Sequence, residues 1–357
     1  MIGTAWEAKM FGGVAEARQV LRDRGFDAQE TDLLVGALIP SFGFEPITGE
    51  GPIGGTRFGG TPDLPPGTAW PRPPAAEDPE VIAGRGDDEA TVRMREHMAL
   101  GLPYAFLAQV DLVEAAFFDL PASGLPGDGR LLFFYDLAVG PWETGTRTAR
   151  VIWDPTPRDA LVRTSMPSDL DAAAAREFAQ IAALHSRYDD ASVPAGEQGT
   201  TYGGPACAMR LRPSLRFDDR TVDRRVLPGL RAPHGGTNEG FERFWNRYQD
   251  LYPGCLPERY GVHRQQLLGS PDPVQGDPLH DAVAVSDFGA QFLDGDAWRN
   301  HGQEIKERTV DWRLLLQVDL GDWMNDRYME GTVYFVIRAS DLAERRFEGV
   351  VAVYQQT

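Results

Sequence analysis

The heptapeptide FLAQVDL at residues 106–112 returns as LLLQVDL at 314–320, and this recurrence constrains the fold more than any other feature of the chain. A turn with a small residue, Pro and Asp after a Gly precedes each copy, GTPDLP at 60–65 and GSPDPVQGD at 269–277. Gly60 lies 49 residues before Gln109, and Gly269 lies 48 before Gln317. A glycine and an aromatic, strand-like run follow each heptapeptide, GRLLFFYDL at 129–137 and GTVYFVIRASDL at 331–342. Recurrence in one order argues for a duplicated unit of roughly 80–100 residues with inserts of different length. Residues 58–137 and 267–342 are therefore expected to superpose, Gln109 on Gln317 and Phe133 on Phe335.

Strict strand alternation assigns faces within the repeat. It places Phe106, Ala108 and Val110 on one face and Leu107, Gln109 and Asp111 on the other. In the second copy Leu314, Leu316 and Val318 share a face, opposite Leu315, Gln317 and Asp319. In the turns, Pro62 and Pro271 preset φ, the preceding glycines permit close backbone approach, and Asp63 and Asp272 can bond nearby N–H groups. The structural expectation is that each turn anchors its unit, with Gln109 and Gln317 buried and pinning backbone groups beside it.

A chain of 357 residues exceeds a comfortable single core, so two lobes or domains are expected. Segment 1–52 reads as helical: Trp6, Met10, Val14, Ala17 and Leu21 recur at steps of three and four, and Asp27 with Glu30 forms a capping box. Gly25 is read as the stop of the first helix and Pro40 as the end of the second. Residues 53–155 read as the first β-rich lobe, interrupted at 72–101 by an acidic insertion with little to bury, partly helical after Asp88. Residues 156–260 form a helical and Arg-rich connection, with helices marked by Leu170, Ala174, Phe178, Ile181 and His185, and by Phe241, Phe244, Tyr248 and Leu251. Residues 261–357 complete the second lobe. The expected class is α+β, a duplicated and mainly antiparallel β unit forming two lobes, with N-terminal helices.

Net charge is −18, which argues against nucleic acid and favours a basic partner where the partner is a protein. The Arg-rich stretch at 210–231 reads as a solvated, salt-bridged surface. Cys207 and Cys255 lack a CxxC partner, so two free thiols in a reducing, cytoplasmic setting are expected. No membrane span and no cofactor are expected. GEGPIG at 49–54 fits a dinucleotide glycine pattern in letters only, since Pro52 removes an amide and no helix start follows. The six histidines show no zinc spacing, and a Cys–His pair of His263 or His280 with Cys255 has nothing further to support it. Asp111 and Asp319, one per copy, invite comparison with the proton-sharing pair of aspartic proteases but lack the D-T/S-G turn.

Five segments, GGTPDLPPGTAWP, PYAFLAQVDL, GDGRLLFFYD, HRQQLLGSPDPVQGD and WRLLLQVD, resemble in this order the YwqG-like family of bacterial proteins, a domain of unknown function. The resemblance covers residues 53–357 and implies the duplicated α+β fold. It implies no reaction. Ser270 stands where such proteins often carry a bulky aromatic residue.

Function is thus read from asymmetry between the copies. Gln275, Asp277 and His280 belong to the second turn alone, so a ligand site is expected there, facing Trp70 and the first turn, with helix or turn capping as the plainer role for Asp277. The leading expectation is a binding protein that holds a small molecule or partner protein at the lobe junction. A hydrolase-like or peptide-modifying enzyme using Asp277, Asp319 and a histidine is the alternative, and a structural or immunity-type accessory protein is the third.

Overall fold

A computed structural model describes residues 11–118, 124–187, 199–222, 224, 239–251, 265–291, 295–324 and 330–356. Trp6, Met10, His234, Cys255, His263 and the side chain of His185 lie outside the described set. The strands are β1 (Leu38–Pro46), β2 (Arg57–Phe58), β3 (Asp63–Leu64), β4 (Ala105–Asp111), β5 (Arg130–Tyr135), β6 (Ala149–Asp154), β7 (Val162–Arg163), β8 (Cys207–Phe217), β9 (Gln266–Leu268), β10 (Trp312–Asp319), β11 (Thr332–Arg338) and β12 (Val351–Gln355). β3 pairs with β7, and the other ten form one sheet in the order β12-β11-β10-β9-β1-β8-β2-β4-β5-β6. Every neighbouring pair in it is antiparallel.

That order is the duplication made visible. β2-β4-β5-β6 and β9-β10-β11-β12 are the two units, set on either side of the central pair β1–β8. β4 meets β5 with a register shift between Phe106 and Ala108, and β10 meets β11 with the same shift between Leu314 and Leu316. Ala108 then opposes Phe133 and Leu316 opposes Phe335, so these phenylalanines are equivalent. Even the closing bond repeats: Leu112 N–H donates to Gly129 O at 3.0 Å and Leu320 N–H to Gly331 O at 2.9 Å.

The bulge corrects the strict alternation. An extra residue shifts the side-chain phase, so Leu107 joins Ala105, Ala108 and Val110 in the inner core, while Phe106 packs outside with Phe134 and Trp70. In the second copy Leu315, Leu316 and Val318 are inside and Leu314 is outside with Tyr334 and Val336.

The sheet curls nearly into a barrel. Its two ends meet where Gly145 and Ala352 exchange backbone bonds of 3.2 Å. Phe133 and Phe335 touch edge-on across the interior with centroids 5.2 Å apart, a geometry that the aromatic quadrupoles favour. The space between the units, the lobe junction where a ligand or partner was expected, is therefore packed with side chains.

Three other readings change. Segment 1–52 holds helices Val14–Asp23 and Ala28–Val35, and the Asp27–Glu30 capping box is formed. Pro40, however, lies inside β1. The Arg-rich stretch begins as β8, paired to β1 over nine residues, with Leu211 and Phe217 buried and Arg210 and Arg212 turned out to clamp Glu45. The acidic insertion is not merely exposed: helices Pro79–Ala83 and Asp88–Leu100 bury Ile82, Ala83, Ala90 and Met94 against Ala138 and Val139. The helices Ser168–Arg187 and Glu239–Leu251 occur where periodicity places them.

Candidate functional site

In the first turn Asp63 N–H donates to Gln109 Oε1 at 2.9 Å, and Gln109 Nε2 donates to Gly55 O at 2.9 Å and Asp63 Oδ2 at 3.1 Å. In the second, Asp272 N–H donates to Gln317 Oε1 at 2.9 Å. Both glutamines are buried. The first turn also holds a charge: Gly54 N–H donates to Asp63 Oδ2 at 2.8 Å, and Arg163 Nε donates to Asp63 Oδ1 at 2.9 Å. Burial works to raise the Asp63 pKa, yet Arg163 and the other donors keep it below the usual carboxylate range. These are anchors; their polar atoms are spent within the fold.

The strand-end aspartates are engaged separately. Asp111 caps helix Leu112–Phe117 through Val113 N–H and pairs with Arg158. Asp319 exchanges backbone bonds with the Gln265 side chain at 2.8 and 2.9 Å.

The structure does not gather the residues singled out for a ligand into one place. Trp70 is nearly buried, donates Nε1–H to Tyr104 O at 2.8 Å, and packs edge-on against Phe134 outside the first unit. Asp277 caps helix Pro278–Phe288, accepting from Leu279 N–H at 3.0 Å. Gln275 Nε2 donates to Gln356 O at 2.7 Å. His280 sits against Trp298, and burial pushes its pKa down while Asp277 pulls the other way. The last three lie outside the second unit, beside the cluster built on Tyr334 and Val336.

One feature escaped the sequence reading altogether. His97, in the acidic insertion, places Nε2 3.1 Å from Asp136 Oδ1, with both residues buried. Tyr202 stacks on the imidazole at 5.9 Å, and Ala138 and Val139 N–H donate to the same carboxylate oxygen. In the second unit the equivalent of Asp136 is Arg338, which pairs with Asp287 of helix Pro278–Phe288. Each unit thus ties its inserted helix to the charge that ends its aromatic strand, with opposite polarity. The signal available in sequence was that Asp136 and Arg338 stand three residues beyond the matched phenylalanines.

Among the described residues, one concave feature with room for a ligand is a cavity of about 890 Å3 beside the central pair, within the range of small-molecule sites. Val14, Leu38, Ile39, Leu215, Leu268 and Leu314 give it apolar walls. Arg220, Arg224, Arg313 and Asp218 give it a charged end. The arginines arrive there for local reasons. Asp218 N–H bonds Ala37 O at 2.8 Å as β8 ends, and Asp218 then accepts from Thr221 Oγ1 and Arg220 Nε at 2.6 and 3.0 Å. Arg220 Nη1 reaches Thr309 O at 2.7 Å and Trp312 O at 3.1 Å, and Arg224 Nη2 reaches Lys306 O at 2.9 Å. The Lys306 and Thr309 carbonyls lie at the end of helix Gly295–Arg308 and in its following turn, where a cation is favoured. Among the described residues no group of three or more His, Cys, Asp or Glu side chains is placed to hold a metal, and no helix is long and apolar enough to cross a membrane.

Fold and cavity together define an α+β protein of two antiparallel units with a recess beside the strands that join them. The chain belongs to the family described as a domain of unknown function (DUF1963), which matches residues 56–355. That span takes in both units and β8 but leaves β1 and the two N-terminal helices outside. No curated protein matches.

Proposed function

We propose that the protein binds a small ligand in the cavity beside β1 and β8, where the central pair meets the second unit. The observation that carries this reading is the cavity itself, about 890 Å3 with one apolar and one charged end. The interior between the units is packed with Phe133, Tyr135, Phe335 and their neighbours, whereas the recess at the side of the sheet has room for a small molecule. Asp277 and Gln275 are committed to a helix cap and a backbone carbonyl, which weakens the second turn as a competing location.

The test is calorimetric titration with 1-decanol and decanoate against the whole chain and against Ile39→Trp, which fills the cavity from a half-buried strand position. Binding of either probe that is lost in Ile39→Trp, with the circular dichroism spectrum retained, supports the reading. Binding of neither probe, or unchanged binding in a folded Ile39→Trp, overturns it.

A further inference from the structure

We infer that the cavity selects a ligand with an apolar body and a single anionic head, a carboxylate or a phosphate monoester, held by Arg220, Arg224 and Arg313. This rests on the cavity being the binding site and adds the chemical class of its occupant.

Three guanidinium groups line one end of the cavity against one carboxylate, Asp218. Asp218 is committed to Arg220 and Thr221. Asp218 and Asp311 act on Arg313 electrostatically, but the hydrogen bonds that Arg224 and Arg313 make among the described residues go to carbonyls and a hydroxyl rather than to a carboxylate. Their protein bonds use only part of each fork: Arg224 donates through Nη2, to Lys306 O and Thr309 Oγ1, and Arg313 through Nη1, to Val310 O and Trp312 O. Arg224 Nε and Nη1, Arg313 Nε and Nη2, and Arg220 Nη2 therefore remain as donors.

This arrangement runs against the rest of the molecule. The chain carries a net −18, yet three arginines and one aspartate line this recess. Charges farther off than about 8–10 Å are largely screened at physiological ionic strength, so the three guanidiniums, offset in part by Asp218 and Asp311, set the local potential. Burial, and then Arg220, hold the Arg313 pKa below its ordinary value even though Asp218 and Asp311 act in the opposite direction. An arginine cannot relieve such crowding by shedding its proton as a lysine does. An anion relieves it, and a planar fork suits the paired oxygens of a carboxylate or phosphate. The six aliphatic side chains that also line the cavity have no use for a bare inorganic ion but bury an alkyl or aryl body.

The experiment uses four probes on the whole chain: decanoate, decyl phosphate, 1-decanol and inorganic phosphate. Wild type should bind decanoate or decyl phosphate at least about tenfold more tightly than decanol, a preference that falls as salt is raised. Arg313→Gln and Arg224→Gln, on a strand and a short helical segment, should each reduce that preference to within about threefold while decanol binding stays unchanged. Which of the two anions binds more tightly identifies the head group. Equal binding of decanol and both anions overturns this inference and leaves the cavity reading standing. Inorganic phosphate binding as tightly as decyl phosphate also overturns it, because the apolar body then contributes nothing. Binding of no probe overturns both. Should one glutamine variant fail to fold by circular dichroism, the other carries the comparison.

Discussion

Gln109→Leu removes the anchor of the first turn without changing the size of the side chain much, and its effect can be worked from the contacts. Gln109 is fully buried and makes three bonds, from Asp63 N–H, to Gly55 O and to Asp63 Oδ2. The substitution leaves one backbone donor and one backbone acceptor buried without partners, at about 1–3 kcal/mol each. Asp63 keeps Arg163 and Gly54 N–H, so its charge remains compensated. The buried leucine returns part of the loss through the hydrophobic effect. The net cost is about 2–4 kcal/mol, which lowers Tm by about 4–16 °C on the scale of 2–4 °C per kcal/mol for a domain of this order. Circular dichroism melts measure it, and hydrogen exchange at the Asp63 amide should speed up in parallel. Gln109→Glu separates geometry from bonding. At neutral pH the introduced carboxylate faces Asp63 and cannot donate to Gly55 O. Its folded pKa is then raised, so its penalty shrinks as pH falls toward the unfolded carboxyl value of about 4.3. A Gln109→Leu protein as stable as wild type, or a Gln109→Glu penalty independent of pH, refutes the anchor.

Four further outcomes are expected. Asp281 has its carboxyl pushed up to about 6 by burial, against a bond from Gln355 and with Asp277 adding to the rise. A raised folded pKa gives stability that is full below about pH 4 and lost as pH rises through 6, so Asp281→Asn should gain up to about 3 kcal/mol relative to wild type at pH 8, read in urea titrations at pH 5 and pH 8. Burial works to raise the Asp136 pKa, but His97 and the Val139 amide bring it below the ordinary value; its stabilisation is thus present above about pH 4 and lost on acidification. His97→Leu, which strands that carboxylate, should cost about 3–5 kcal/mol by denaturant titration. Gly59 has φ of +57°, and a Cβ there meets Pro205 O at 2.1 Å and the Trp323 ring at 2.7 Å; Gly59→Ala should therefore prevent soluble expression or drop Tm by more than 10 °C, on the order of the largest single-site losses. Asp277→Ala should cost about 1 kcal/mol through the lost cap, and decanoate affinity should be unchanged by titration.

The duplication, the α+β class and the anchoring chemistry of the turns were legible in sequence because they depend on local pattern. The capping box at Asp27 and Glu30 needs only four consecutive residues, and the Gln109–Gln317 equivalence needs only a constant spacing. The faces of β4 and β10 failed halfway along because a bulge adds one residue and inverts every side chain beyond it, and nothing in the letters of FLAQVDL marks that insertion. β1 and β8 were misread because Pro40 resembles a helix stop and seven arginines at 210–231 resemble a surface. Each becomes a strand only when the other lies beside it, since their residues are far apart in the chain and neither buries its apolar side alone. The same holds for His97 and Asp136, whose pairing was decided by the helix that folds over the end of β5. The cavity belongs wholly to the tertiary level: Val14, Leu38, Arg220, Leu268 and Arg313 share a recess because the sheet curls. Local periodicity set which elements form, and long-range closure of the sheet decided which side chains meet.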